Sequence, residues 1–253
     1  MSERFTKRWL GVTLSLIGVV AILWLGATGR LELYIHPRYV VFTAIMAVIG
    51  GAASIAAFLV VPLAGHDHDD DDDGDPRPVR RGGVLLRVSG SAVLVIAAVV
   101  ALLVLPPATL SSATAANRDI SSSSSLDSAD STHLVGGDST SFTVKDWATL
   151  LHQGLGDDFF AGKPAHISGF LVATDDPDVV YVARFLVTCC AVDAQPLGVP
   201  VYLPDWQQNF AADDWVDVTG TFGVNPDAGA ALTVVLTAAK TDKIPVPAQP
   251  YVY

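Results

Sequence analysis

The chain has 253 residues, 51 % of them hydrophobic and only 16 % charged, with a mean hydropathy of +0.43. Residues 1–105 carry nine Lys/Arg against nine Asp/Glu, while residues 106–253 carry six against 17, so the whole net charge of −11 lies in the C-terminal part. That division predicts a membrane anchor followed by an acidic domain large enough for one core. It argues against a purely soluble enzyme, a disulfide-rich scaffold and a basic nucleic-acid binder.

Three stretches are long and apolar enough to cross a bilayer, which takes about 20 residues. They are 9–27, 39–63 and 84–105, with Arg87 placed in the first turn of the last, where it can snorkel to the headgroups. Trp9, Tyr34 and Tyr39 stand at span ends, as interfacial aromatics do. Arg4, Lys7, Arg8, Arg77, Arg80 and Arg81 flank one side, and only Arg30 and Arg38 the other. Basic residues stay inside, so the reading is a multi-pass plasma-membrane protein with a cytoplasmic N-terminus and an extracytoplasmic C-terminal domain. The first apolar run exceeds a signal h-region of roughly 7–15 residues. No good small-x-small site follows it; Ala113-Thr114-Ala115 after the third span is a better cleavage pattern, but the run before it is long enough to stay as an anchor.

Between the second and third spans stands a loop, 65–75, that holds His66, His68 and seven Asp. Its composition cannot bury a core. Two readings stay open: a weak metal-collecting loop, since imidazole and carboxylate suit divalent cations, and a solvated spacer between two hydrophobic spans.

Pro106-Pro107 ends the third span, and 106–140, rich in Ser and Ala, reads as a flexible stalk without chemistry. From 141 to 253 the pattern is that of a folded domain. Val144, Trp147, Leu150 and Leu151 have helical spacing, with Thr143 as N-cap and Asp146 three residues later. Strand patterns follow at 165–174, 179–188, 199–203, 215–224 and 232–244. Turn signals separate them, among them Gln195-Pro196-Leu197-Gly198 and Asn225-Pro226-Asp227-Ala228-Gly229. All 17 acidic residues after position 105 are Asp, a turn and cap residue, rather than Glu, a helix former. With Gly169 and Gly220 inside strands, the pattern predicts an OB-like five-stranded barrel; an unspecified small β-sandwich is the alternative. The acidic charge speaks against nucleic acid as a partner.

The only two cysteines are neighbours, Cys189 and Cys190. Adjacent Cα atoms lie about 3.8 Å apart, below the 4.4 Å or more of an ordinary disulfide. In a regular strand the two thiols would point to opposite faces, so one ion takes both only if the strand ends or bulges there. Three readings remain: metal ligands, with Asp193 and one of His133, His152 or His166 completing the shell; a redox-sensitive vicinal pair; and small buried core residues.

Several of these segments together are similar to the YcgQ-like permease subunits over nearly the whole length. The likeness is carried by Gly29-Arg30-Leu31-Glu32-Leu33-Tyr34-Ile35-His36-Pro37, the His/Asp loop and Leu105-Pro106-Pro107-Ala108-Thr109-Leu110-Ser111-Ser112. It continues through Arg184-Phe185, Cys189-Cys190-Ala191-Val192-Asp193-Ala194, Pro200-Val201 and Trp215-Val216-Asp217-Val218-Thr219-Gly220. The resemblance implies an accessory subunit paired with a separate multi-span permease, with a transition metal as candidate cargo; zinc or another transition metal is the candidate cofactor. The loop departs from the family pattern in having just two His and a long Asp run.

The sequence therefore predicts a non-enzymatic permease accessory subunit seated in the lipid bilayer, its outer domain covering or feeding the permease. No cofactor is certain. Metal candidates are Cys189, Cys190 and Asp193, with His66 and His68 as a weak loop site. No G-x-S-x-G, H-E-x-x-H or Gly-rich phosphate loop occurs. The rival expectation is a cell-surface redox or envelope-stress sensor built on the cysteine pair.

Overall fold

The structure is a computed structural model that describes residues 2–60, 93, 95–97, 99–101, 109–118, 120–121, 137, 139–227, 229 and 231–253. The His/Asp loop with His66 and His68, His133 and most of the expected third span lie outside the described residues. The chain divides into two compact units, one of residues 1–32 and 37–107, the other of Leu33–His36 and Ala108–Tyr253.

In the first unit, α1 (Ser2–Ala27) and α2 (Val40–Val60) pack on each other. Among the described residues two stretches are apolar enough to cross a membrane, Trp9–Ala27 within α1 and Pro37–Val60 ending with α2; most of the third expected span lies outside them. Small residues let the two helices approach. Ala21 and Ala47 are buried, and a Cβ at Gly51 would already touch the Val19 side chain at 3.4 Å. Most large side chains elsewhere on α2, such as Val41, Phe42 and Leu59, are exposed, as a lipid-facing helix requires.

In the second unit, α3 (Ser112–Ala116), α4 (Val144–His152) and α5 (Asp157–Phe160) accompany five strands. These are β1 (Pro164–Ala173), β2 (Val179–Leu186), β3 (Gln195–Tyr202), β4 (Trp215–Val224) and β5 (Val234–Lys243). Helix α4 begins where the pattern placed it. Thr143 accepts the Asp146 N–H, and the Asp146 carboxylate accepts the Thr143 N–H at 2.7 Å, a reciprocal capping box.

The strand order is β1-β2-β3-β5-β4, with β4 pairing back along β1 from Pro164↔Thr221 to Phe170↔Trp215. All ladders are antiparallel except a two-pair parallel contact of β3 with β5, at Val201↔Leu236 and Tyr202↔Thr237. Both expected bending glycines sit where backbones nearly touch. A Cβ at Gly169 would lie 2.4 Å from the Ala183 carbonyl oxygen, and one at Gly220 2.3 Å from that of Thr237. The β4–β5 register shifts at Thr219/Gly220, a bulge that bends the strand.

Two expectations need correction. Gln195-Pro196-Leu197-Gly198, read as a turn, is the first half of β3 and pairs with β2 from Leu186 to Ala183. Prolines 196 and 200 fit there because alternate residues point alike. The Gly198 N–H between them turns away from β2 to the Ser121 hydroxyl, so the two missing N–H groups cost no ladder bond. The stalk is the second correction, since its residues 109–118 and 120–121 belong to the β unit. Ala115 is fully buried on β1, Ser121 N–H donates to the Pro196 carbonyl at 2.8 Å, and Leu110 N–H donates to the Tyr251 hydroxyl.

One core lies inside the sheet, where Leu171, Val182, Val199, Val218 and Leu236 meet Trp147 of α4 and Phe160 of α5. A second forms on the outside of β1 and β2, where Phe170, Phe185, Trp215 and Tyr251 are covered by Ala115 with Leu33, Leu110 and Ile120. Burial on both faces explains why β2 and β3 read as almost continuous apolar runs.

Candidate metal centre

Strand β2 stops at Leu186, and the connection to β3 turns sharply before Gln195. Here the strand-end condition for bringing two adjacent thiols together is met. Asp193 shapes the turn: its carboxylate accepts the Cys189 N–H at 2.8 Å and the Cys190 N–H at 3.2 Å, while its own N–H donates to the Cys190 carbonyl at 3.0 Å. Arg118, from the segment expected to be stalk, donates to the Ala194 carbonyl and closes the turn from behind.

The other flank is held by the loop between α1 and α2. Ile35 forms an antiparallel bridge with Cys190; His36 N–H donates to the Cys189 carbonyl at 2.9 Å and Ala191 N–H to the Tyr34 carbonyl at 2.8 Å. This short strand completes a site whose other members lie more than 150 positions away. Sequence reasoning missed it, because a single bridge of three residues carries no periodicity.

One donor atom from each of Cys189, Cys190 and Asp193 lies within 4.8 Å of the others. Cys189 is exposed, Cys190 and Asp193 half-buried, and both thiols are free. Desolvation, then the neighbouring Cys190 and Asp193, push the Cys189 thiol above its ordinary value. A bound cation would reverse that balance and release the proton. Two soft sulfurs and a carboxylate suit zinc or a similar transition metal. Zn–S bonds of about 2.3 Å in tetrahedral geometry need sulfurs roughly 3.8 Å apart, so a modest contraction of an exposed turn suffices. The donor set fits.

The histidines proposed to complete the shell are not brought here. His166 Nε2 lies 2.6 Å from Asp217 Oδ1, and His152 ends α4; neither belongs to the cluster. Arg184, singled out only as part of a motif, is anchored through Nε to the Ser168 carbonyl at 2.7 Å and through Nη2 to its hydroxyl at 2.9 Å, with its guanidinium over Trp215. Its place is structural, tying β2 to β1.

No curated protein matches the chain. Among solved structures, it is similar to OBody AM2EP06 bound to hen egg-white lysozyme, at 15 % identity over 43 % of this chain and 95 % of that one, with a TM-score of 0.25. It is also similar to OBody AM3L09 bound to hen egg-white lysozyme, at 16 % identity over 42 % and 94 %, with the same TM-score of 0.25. Residues 12–121 match the DUF1980 N-terminal domain and residues 138–253 the DUF1980 C-terminal domain. The first match covers the two helices and runs on through residues that belong to the β unit, and the second covers the β domain that carries the cysteine turn. The chain is thus built of the DUF1980 N-terminal and C-terminal domain families in succession.

Proposed function

We propose that this protein is an accessory subunit of a two-component membrane permease, and that its outer, OB-like domain presents a soft transition metal such as zinc to the permease. The observation that carries this reading is the Cys189–Cys190–Asp193 cluster on an exposed turn. The spans support the accessory role. Neither Trp9–Ala27 nor Pro37–Val60 contains an Asp or Glu on which ion coupling could act.

We also propose the topology read from the basic flanks, with the N-terminus cytoplasmic and the β domain outside. What supports it is that residues 33–36 belong to one unit with the β domain; this fits an even number of crossings between them, for which α2 and the apolar 84–105 stretch of the sequence are the candidates. A redox sensor built on the same pair fits less well, because sensor thiols depend on a lowered pKa and that of Cys189 is raised.

The test is zinc flux into vesicles carrying the full chain alone, the permease alone, and both. The reading expects no flux from this chain alone and a gain with both, lost in the Cys189→Ser/Cys190→Ser double variant. Robust flux from the single protein would end it.

A further inference from the structure

We propose that the cavity between β1, β2 and the start of α4 binds a single carboxylate, held by the free end of the Arg184 guanidinium. The cavity measures about 330 Å³, at the small end of ligand pockets. Ser141, Thr143, His166, Ser168, Arg184 and Val252 line it, and no residue of the cysteine cluster does.

Arg184 enters the cavity with an unbalanced charge. Its guanidinium is half-buried, and among the described residues no carboxylate pairs with it. Burial lowers its pKa from the ordinary arginine value, with no anion to offset that loss of solvent. A positive charge taken partly out of water calls for a negative partner. The anchoring bonds decide which donors remain to meet one. Nε and Nη2 donate side-on to the carbonyl and hydroxyl oxygens of Ser168, and Trp215 stacks on the guanidinium. That leaves the end-on fork of Nη1 and the second Nη2 hydrogen, whose spacing matches the two oxygens of a carboxylate. Ser168 Oγ accepts from Arg184, so its own hydrogen is left to donate to the same ligand.

Neighbouring groups select the charge of that ligand. Asp217 Oδ1 lies 2.6 Å from His166 Nε2, and Asp146 accepts the Thr143 hydroxyl at 2.7 Å. Two carboxylates thus stand directly behind lining residues. A doubly charged phosphate meets twice the repulsion from them that a monoanion does. The ligand is a carboxylate, either free or carried by an Asp or Glu of a protein partner.

The experiment adds sodium acetate to the full-length protein in lipid nanodiscs and follows the backbone amide resonances of Thr143 and Ser168, with sodium chloride at equal ionic strength as control. The wild type should give a saturable shift with acetate and none with chloride, and inorganic phosphate should bind more weakly than acetate. Arg184→Lys keeps the charge without the fork and should weaken acetate binding about 10-fold or more. Ser141→Phe leaves both Ser168 bonds in place, fills the cavity from its exposed rim, and should abolish the response even if Arg184→Lys fails to fold. A capped tripeptide with a central glutamate, set against its glutamine counterpart, separates the two sources. Tighter binding than acetate assigns the site to a protein partner, and equal binding assigns it to a free carboxylate. An acetate response no larger than that of chloride, or one undiminished in Ser141→Phe, would overturn the site.

Discussion

Trp147 shows how a single side chain can be both essential and imperfect. It is fully buried against Phe222, with ring centroids 4.6 Å apart, yet its indole N–H has no partner among the described residues. Truncation to Ala should cost about 3–5 kcal/mol. Trp147→Phe should cost far less, because it removes the orphaned donor along with part of the ring; thermal unfolding of the two variants checks this. Asp214 is the pH-sensitive counterpart. Hydrogen bonds from Lys243 and then from the Ala211 N–H hold its carboxyl below the usual value. A depressed folded-state pKa contributes stability above the unfolded carboxylate range, and that contribution disappears as pH falls through the folded value. Asp214→Asn should therefore lower the melting temperature at neutral pH, by an amount worth at most about 1 kcal/mol for so exposed a lysine partner. The gap to wild type should close as the solution is made strongly acidic.

The elements owe their placement to a few positions that admit no substitute. Gly169 and Gly220 mark points where a side chain would strike a neighbouring carbonyl, whereas Gly223, three residues past the bulge in β4, has open space around it. Ala at 169 or 220 should destabilise the β domain by about 3 kcal/mol or more, the cost of forcing backbone apart. Ala at 223 should be neutral or mildly stabilising, and denaturant midpoints of the three variants give the comparison. The capping box of α4 and the extent of β4 were legible in the chain, since both rest on contacts within a few residues. Strand β3 was read half too short. Proline signals a turn in isolation, and only the pairing with β2 shows that the N–H groups at 196 and 200 were never needed.

At the scale of the molecule, the β domain is incomplete when cut from 139 onward. Leu33 enters its outer core, Ala115 is fully buried in it, and Tyr34 and His36 hydrogen-bond the cysteine turn. A fragment of residues 139–253 should thus lose hydrogen-exchange protection at the Ala191 N–H, which in the whole chain is bonded to Tyr34. Equal protection in fragment and full chain would show that the turn orders without the loop.

The two-part architecture, five strands, the α4 cap and the uncommon cysteine pair could all be read from residues 1–253 in order, because apolar periodicity, turn chemistry and caps are local. Asp193 was readable as a partner of the thiols for the same reason, lying within four positions of both. The tertiary structure alone decided that residues 33–36 and 109–121 complete the β domain, that His166 turns to Asp217, and that the cysteine turn meets the membrane loop. Those contacts join stretches about 50 to 155 residues apart through a few hydrogen bonds each, some between backbones and some through side chains. Such pairings leave no repeating mark on composition, and become visible only once the chain has closed on itself.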